Sequence, residues 1–470
     1  MSKQKIFEIA SFLAMTARAR LANRKLYRHC EALRSNLFLP LIVSLSLFLP
    51  LVISAQKIFT LDSAIAITLK SNYNILLAQN AYKTASNNYA PGIAGMLPTI
   101  SANATYTASV TNLSQQYSSG LDVNKSGAVS TTIVPYIGLS WTLFDGTRMF
   151  VVYNELGLLK DEGMLNVKAT MEDNIASVIE AYYNIVQQKQ LLIVDDSDLA
   201  VFKEEMDIAQ KQYEVGTGSK LNYLQAEVSY NAQNSARLKQ QVAVMNAIIS
   251  LNQLLELPVE STYEVRPDIN IGRELKYDSL NNLAFMQNPN LALAKTGIRV
   301  AEDNVKETNA MRLPSLNIGA DYGLSRNSSN AGFALYNQSA GLIGAGFTFS
   351  WTLFNGSIIN IQHENAQLAE QSAKFQYDLT NFQVNATLLE TFKQYEVNQK
   401  ILKMDEDNFV IAKQNVDVAL EQFRIGTTNI VQLQQAQASY AQAGSQVVSD
   451  RYSTKVSETQ LLQLSGELIK

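Results

Sequence analysis

Side chains able to do nucleophilic, acid–base or metal chemistry at neutral pH are few in this chain of 470 residues. It has one cysteine, Cys30, and two histidines, His29 and His363. Clustered Cys/His zinc sites are therefore impossible, and a Ser-His-Asp apparatus has at most one candidate base. His363 stands beside Glu364 early in what reads as a long helix. No nucleophile or ligand set accompanies it, so a packed or solvated side chain is the simpler reading. The chain is read as a non-enzyme with no catalytic, cofactor-binding or metal-binding residues, and its chemistry must lie in how its elements enclose or bind something.

Composition points the same way. Only 17% of residues are charged, against roughly a quarter in soluble domains, while 47% are hydrophobic. The formal charge of −4 divides unevenly: residues 1–55 carry a net +6 and the remainder −10. A basic stretch leads into the apolar run Leu37–Ile53 and then Ser54-Ala55. That is the order of a secretory signal, with cleavage expected after Ala55; a membrane anchor is the alternative, although Pro40 and Pro50 interrupt it. Met15 is an alternative start. Cys30 and His29 leave with the leader, and no later cysteine offers an N-terminal lipid anchor. No later segment supplies about 18 continuous apolar residues, and no strongly basic stretch suggests a nucleic-acid partner.

The remainder is an internal duplication. Ser140-Trp141-Thr142-Leu143-Phe144-Asp145-Gly146 is answered by Ser350-Trp351-Thr352-Leu353-Phe354-Asn355-Gly356, an offset of 210. At the same offset Gln212-Tyr213-Glu214-Val215-Gly216-Thr217 answers to Gln422-Phe423-Arg424-Ile425-Gly426-Thr427. Upstream, Asn72, Leu97 and Pro98 answer to Asn288, Leu313 and Pro314 at an offset of 216. Several phrases in order, with one length change, exclude coincidence. The first repeat is placed at 56–257, a linker at 258–279 and the second repeat at 280–470.

Within each repeat the apolar period switches. Leu61–Asn88 and Leu283–Asn309 read as helices ending before Leu-Pro. Alternation then predicts strands at about 99–111 and 129–144, and at about 315–325 and 342–354, joined by Ser/Asn/Gly-rich loops. Each has the length of a tilted transmembrane strand, and Trp141, Phe144, Trp351 and Phe354 sit where an interfacial aromatic girdle would lie. Four strands cannot close a barrel, so strands must be pooled: two chains would give eight and three would give twelve. Proline-free stretches then predict long helices at about 147–215 and 357–425, each on the order of 100 Å at 1.5 Å per residue. They reverse at Gly-Thr turns and return through about 220–254 and 430–464, with apolar seams suited to a coiled-coil tube.

With this order of elements, the strand ends Ser-Trp-Thr-Leu-Phe-Asp/Asn-Gly and the turns Gln212–Ala226 and Gln422–Ala436, the chain from about Thr60 to Lys470 resembles the TolC-type outer-membrane efflux and secretion channels. The resemblance implies an α+β membrane protein: a homotrimer with a twelve-stranded transmembrane β-barrel that continues into a long twelve-helix coiled-coil tunnel in the periplasm of a Gram-negative bacterium. It implies a passive exit duct of a tripartite efflux or type I secretion system, coupled through a periplasmic adaptor protein to an inner-membrane pump. Val215, Gly216, Thr217, Ile425, Gly426 and Thr427 become adaptor-facing tips. The level where relatives carry constricting carboxylates holds Asn222, Gln225, Gln432 and Gln435, so the periplasmic aperture becomes a ring of amides. Positions where some relatives latch the closed tip hold Phe423 and Thr428. A different reading of the same residues is a periplasmic coiled-coil scaffold or adhesin without a pore.

Overall fold

The computed structural model describes residues 58–272, 274–330 and 337–469; the expected leader lies outside them. The elements run α1 (Leu61–Ser71), α2 (Tyr73–Asn88), β1 (Thr99–Gln116), β2 (Asp122–Asp145), α3 (Arg148–Glu214), α4 (Lys220–Leu255), α5 (Tyr277–Gln287), α6 (Pro289–Ala310), β3 (Ser315–Ser329), β4 (Asn337–Ser350), α7 (Ile358–Arg424) and α8 (Ile430–Ser465). The helices α3 and α7 have 67 residues each, about 100 Å. Among the described residues, no helix is long and apolar enough to cross a membrane.

Each upstream segment expected as one helix is two. The breaks fall at Asn72 and Asn288, both buried; each asparagine caps the new helix, and at Asn288 the following Pro289 also disfavours continuity. Asn72 Oδ1 accepts from the amides of Asn74 and Ile75, capping α2. Its Nδ2 donates to the Leu254 carbonyl at 3.0 Å, near the end of α4. Asn288 does the same with Asn290, Leu291 and the Leu464 carbonyl, also at 3.0 Å. A side chain that satisfies two orphan amides of a new helix and one last carbonyl of another favours the break over continuity.

The strands pair antiparallel in the order β1-β2-β3-β4. β1 and β2 extend well beyond 111 and 129, because the polar residues expected as loop continue the ladder past an irregularity between Thr111 and Leu113. There Asn112 Oδ1 accepts from Ser126 and from the Gly127 amide. β4 ends at Ser350, so Trp351 and Phe354, expected within a strand, lie in the connection to α7. The equivalent stretch of β2 stays in the ladder because β3 pairs with it through Phe144 and Asp145; β4 has no partner on its outer side.

Around the long helices the packing changes with height. Above, α2, α3, α6 and α7 lie side by side; below, the order is α4, α3, α8, α7. The largest core lies between these levels, where Ile175, Val178, Ile179, Tyr182 and Ile185 of α3 meet Leu251 and Leu255 of α4 and Val265 of the linker. Phe59 and Val265 form a parallel bridge there, and the Tyr182 hydroxyl donates to the Phe59 carbonyl at 3.0 Å.

Candidate functional site

The sheet is a wall with two unlike faces. Cross-strand partners carry one row through Ala102, Ile137, Tyr322 and Ile343, and the next through Ile100, Leu139, Ala320 and Ala345. The opposite face runs through Ser101, Gly138, Asp321 and Gly344. Asp321 fits because its neighbours on both sides are glycines; a Cβ on Gly344 would stand 2.7 Å from Asp321 Oδ1. Ile100, Ile137, Tyr322, Ile343 and Phe347 are all exposed, so nothing among the described residues covers the apolar face. In water such a face would be a large association surface.

At the junction of sheet and helices the two tryptophans do the same job. Trp141 Nε1 donates to the Met96 carbonyl at 2.9 Å, and Trp351 Nε1 to the Arg312 carbonyl at 3.1 Å. Trp141 of β2 and Trp351, just past β4, are thus each tied to the connection between the preceding helix and its strand. Phe144 and Phe354 are exposed beside them. His363 lies among packed helices, its Nδ1 3.3 Å from the Thr308 hydroxyl of α6.

At the other end, each hairpin turns on a left-handed glycine, with φ +79° at Gly216 and +75° at Gly426, where a Cβ would be strained. The Thr217 and Thr427 amides donate to the Gln212 and Gln422 carbonyls at 2.9 Å. Ser219 and Asn429 then cap the return helices by accepting from the amides of Asn222 and Gln432. The structure brings the two tips together: Gln212 Nε2 donates to the Phe423 carbonyl at 3.3 Å, and Arg424 pairs with Glu204 and Glu421. Phe423, expected at a latch position, is buried with Ala209, Ala226, Ile430 and Leu433. Val215, Thr217, Ile425 and Thr427 remain exposed, as do Leu221 and Val431.

The amide quartet is not assembled within one chain. Asn222 and Gln225 are on α4, Gln432 and Gln435 on α8, and these helices share no extensive contact because α3 lies between them. Gln432 Oε1 accepts from the Thr428 hydroxyl, while Gln225 and Gln435 are exposed.

Sequence reasoning missed the buried acids of the long helices. Glu172, Asp198 and Glu205 of α3 are almost wholly buried. Burial pushes Glu172 up to about 6, with Lys168 Nζ 3.7 Å away and beyond hydrogen-bond reach. It pushes Asp198 up to about 7, aided by Asp195, and raises Glu205 against the opposing amides of Gln437 and Gln434. Asp450 of α8 is raised to about 6 by burial and by its hydrogen bond with Asp405. No sequence signal marked them, since an acid in a polar helical stretch looks solvated until the facing helix is known.

Residues 64–256 and 280–467, which hold the sheet and the long helical hairpins, match the sequence pattern of the family described as outer membrane efflux protein. The chain belongs to the outer membrane efflux protein family. Among its relatives, alkaline protease secretion protein AprF of Pseudomonas aeruginosa is 24% identical over 246 residues, covering 51% of this chain and 48% of AprF. Outer membrane efflux protein BepC of Brucella suis is 20% identical over 414 residues, covering 87% of this chain and 86% of BepC. The chain thus spans about half the length of the first and most of the second. Its fold is that of the outer membrane protein VceC from Vibrio cholerae, with a TM-score of 0.70 at 16% identity over 86% of this chain and 96% of that one. As an outer membrane efflux protein it is an outer-membrane channel with a periplasmic extension, and the scaffold or adhesin reading is not favoured. Members of the family are channels rather than enzymes.

Proposed function

We propose that three copies of this chain close into one continuous duct, a twelve-stranded barrel above a twelve-helix tunnel, which serves as the passive exit of a tripartite efflux or type I secretion system. The observation that carries this reading is that contacts joining the two repeats inside one chain leave matching unsatisfied halves at the chain's two sides. Inside the chain, β2 pairs with β3, and Gly146 is pressed against the Ala310 carbonyl and the side chain of Leu313. At the repeat-equivalent Gly356 a Cβ would meet nothing within 4 Å among the described residues, while Ala94 and Leu97, the equivalents of Ala310 and Leu313, lie beside the open edge of β1. A second copy with its β1 beside β4 brings these together.

Two polar pairs support the same closure. Asn154 Nδ2 donates to Asp303, and Gln437 Nε2 donates to Glu205 at 2.9 Å. The equivalent positions on the two open sides hold Glu364 with Asn87, and Glu227 with Asn415. In each case acid and amide have exchanged sides, so the pairing survives between copies with its polarity reversed. Along α7 an exposed apolar stripe recurs every seventh residue, Ile361, Leu368, Phe375, Phe382 and Leu389. Leu158 and Ile179, the equivalents of Leu368 and Leu389 on α3, are buried. A seam of this period is what a neighbouring helix covers. Three copies are the number at which the strands enclose a passage rather than a packed interior.

In this duct the apolar sheet face meets lipid, and the serine- and glycine-lined face meets the passage. Trp141, Phe144, Trp351 and Phe354 lie at the inner membrane–water boundary, where an indole can be apolar on one side and donate a hydrogen bond on the other. Val215, Gly216, Thr217, Ile425, Gly426 and Thr427 face a periplasmic adaptor, and the pump behind that adaptor supplies the energy. Asn222, Gln225, Gln432 and Gln435, distributed over α4 and α8 of three copies, ring the aperture with amides. Amides lack the cation affinity of clustered carboxylates.

The test is reconstitution. Outer-membrane fractionation, heat-sensitive migration as a trimer and single-channel conductance in a planar bilayer should all be observed. A trivalent cation added from the helical side should leave most of the current. Absence of conductance by a correctly assembled oligomer would sink the duct reading, and strong trivalent block would sink the amide aperture.

A further inference from the structure

The two hairpins of one chain meet along α3 and α8. At the level of Tyr183, α8 contributes Lys455, 5.3 Å from the Tyr183 ring and paired with Glu458 at 2.8 Å; above and below that level the seam sets acids against amides. From α3 come Asp173, Glu180, Asp198 and Glu205; facing them from α8 come Gln463, Gln460, Tyr440, Gln437 and Gln434. Gln463 Nε2 donates to Asp173 at 2.7 Å and Gln460 Nε2 to Glu180 at 3.4 Å. Near the tip, Glu205 is fully buried and receives Gln437 Nε2 at 2.9 Å and Gln434 Nε2 at 3.3 Å. Gln434 also reaches the Ser229 hydroxyl of α4 at 3.2 Å.

The nearby cations are committed elsewhere. Arg237 of α4 pairs with Asp196, and Arg424 of α7 pairs with Glu204 and Glu421. The charged group acting on Asp198 is acidic, Asp195 on its own helix, held by Gln233 of α4; the facing Tyr440 is itself raised by burial, by Asp198 and by Asp417 of α7. A buried carboxylate held only by neutral amides is poorly compensated as an anion and well accommodated as an acid. A second observation points the same way. Gln437 is 97% buried, and its Oε1 has no hydrogen-bond partner among the described residues. The acceptor lacks a donor while its own amide donates to a carboxylate. A proton on Glu205 supplies that donor and completes a reciprocal acid–amide pair, Glu205 O–H to Gln437 Oε1 and Gln437 N–H back to Glu205.

We propose that the α3–α8 seam is a proton-operated lock on the periplasmic tip: Glu205 and Asp198 hold protons while the two hairpins are closed and release them to water when the hairpins separate. The lock rests on the duct reading for its consequence, which is that acid opposes opening at the tip and neutral to alkaline pH favours it. The burial-raised affinities of both acids give the same sign. A closed state that binds protons more tightly than the open state is favoured below the raised values and loses that advantage as pH rises through them. The amide aperture itself does not titrate, so the pH response is displaced from the ring to the seam between hairpins.

The experiment uses the full chain with Cys30→Ser and spin labels on cysteines at Val215 and Ile425, one on each hairpin tip, assembled in detergent and in nanodiscs. Distances between the labels are recorded by pulsed electron paramagnetic resonance from about pH 5 to about pH 8.5. A narrow distribution in acid that broadens and lengthens at high pH is expected. Glu205→Gln keeps an N–H donor for Gln437 and cannot ionise, so it should stay narrow throughout. Asp198→Asn should leave a weaker response. A distribution in the parent that does not change with pH overturns the lock, as does a pH response that persists unchanged in Glu205→Gln/Asp198→Asn. Conductance measured on the same preparations separates the two ideas: a pore with a pH-flat tip overturns only the lock, and a protein that conducts nothing overturns the duct whatever the labels report.

Discussion

Replacing Gly356 by alanine probes ring closure from a position where a Cβ would meet nothing within 4 Å among the described residues. Its φ of +68° and the +75° of Gly146 place both residues in the left-handed region. An L side chain there costs about 1–2 kcal/mol, reduced by roughly 0.4–1 kcal/mol because alanine also restricts the unfolded chain. At Gly146 the new methyl meets the Ala310 carbonyl oxygen and stands 2.7 Å from Leu313 Cβ, so backbone must shift as well. Overpacking of that kind adds about 1–3 kcal/mol. In an isolated chain, therefore, Gly356→Ala should cost much less than Gly146→Ala. In a closed ring, Gly356 meets Ala94 and Leu97 of the next copy and the two losses converge, with three junctions affected per assembly. Gly120→Ala in the β1–β2 turn, φ +82° with nothing within 4 Å, isolates the strain alone. The assay is the temperature at which the oligomer dissociates in detergent. Gly146→Ala and Gly356→Ala should both dissociate well below Gly120→Ala. If Gly356→Ala follows Gly120→Ala instead, the closure argument is refuted.

Two further substitutions test the supporting packing. Asn72→Ser keeps an N-cap acceptor for α2 but loses the bond to the Leu254 carbonyl, and should lower the local opening free energy by roughly 1 kcal/mol. Asn72→Ala loses the cap as well and should cost roughly 2–3 kcal/mol. Hydrogen exchange of peptides spanning α2 reads both, and equal protection in Asn72→Ser and the parent would remove the tie from the account. For Glu172, whose buried carboxyl is raised to about 6 from an ordinary 4.5, stability should fall as pH rises from about 4.5 through about 6. Glu172→Gln should flatten that slope and raise the midpoint of thermal unfolding at pH 8, and a parent slope of the opposite sign would contradict it.

How much of this was legible beforehand depended on the physics of each element. Alternation in β1 and the phrase around Trp141 announced strands because side chains on a half-covered sheet must separate by face. The extension of β1 and β2 past Thr111 was not legible, since a ladder of backbone bonds can hold serines and asparagines that carry no periodic signal. The helix break at Asn72 was hidden for a related reason: the apolar period continues through it, and the break is decided by a carbonyl 182 residues away. At Asn288 the following Pro289 was a legible signal, because a residue before proline is disfavoured from the helical region. At the tips, Gly216 and Gly426 could be recognised because reversal demands a left-handed residue. The burial of Glu205 could not, because a glutamate in a polar helical stretch looks solvated until the helix opposite supplies Gln434 and Gln437.

The central claim is that copies join through Asn87 of one and Glu364 of the next, the exchanged counterpart of Asn154 and Asp303 within a chain. In a Cys30→Ser background, Asn87→Cys/Glu364→Cys should form intermolecular disulfides or short bis-maleimide links in the membrane. Denaturing gels should then show a ladder that ends at three chains. The single variants mixed during assembly should give covalent pairs and nothing larger. Cross-links confined to one chain, or a ladder that ends at two or continues past three, would contradict the account.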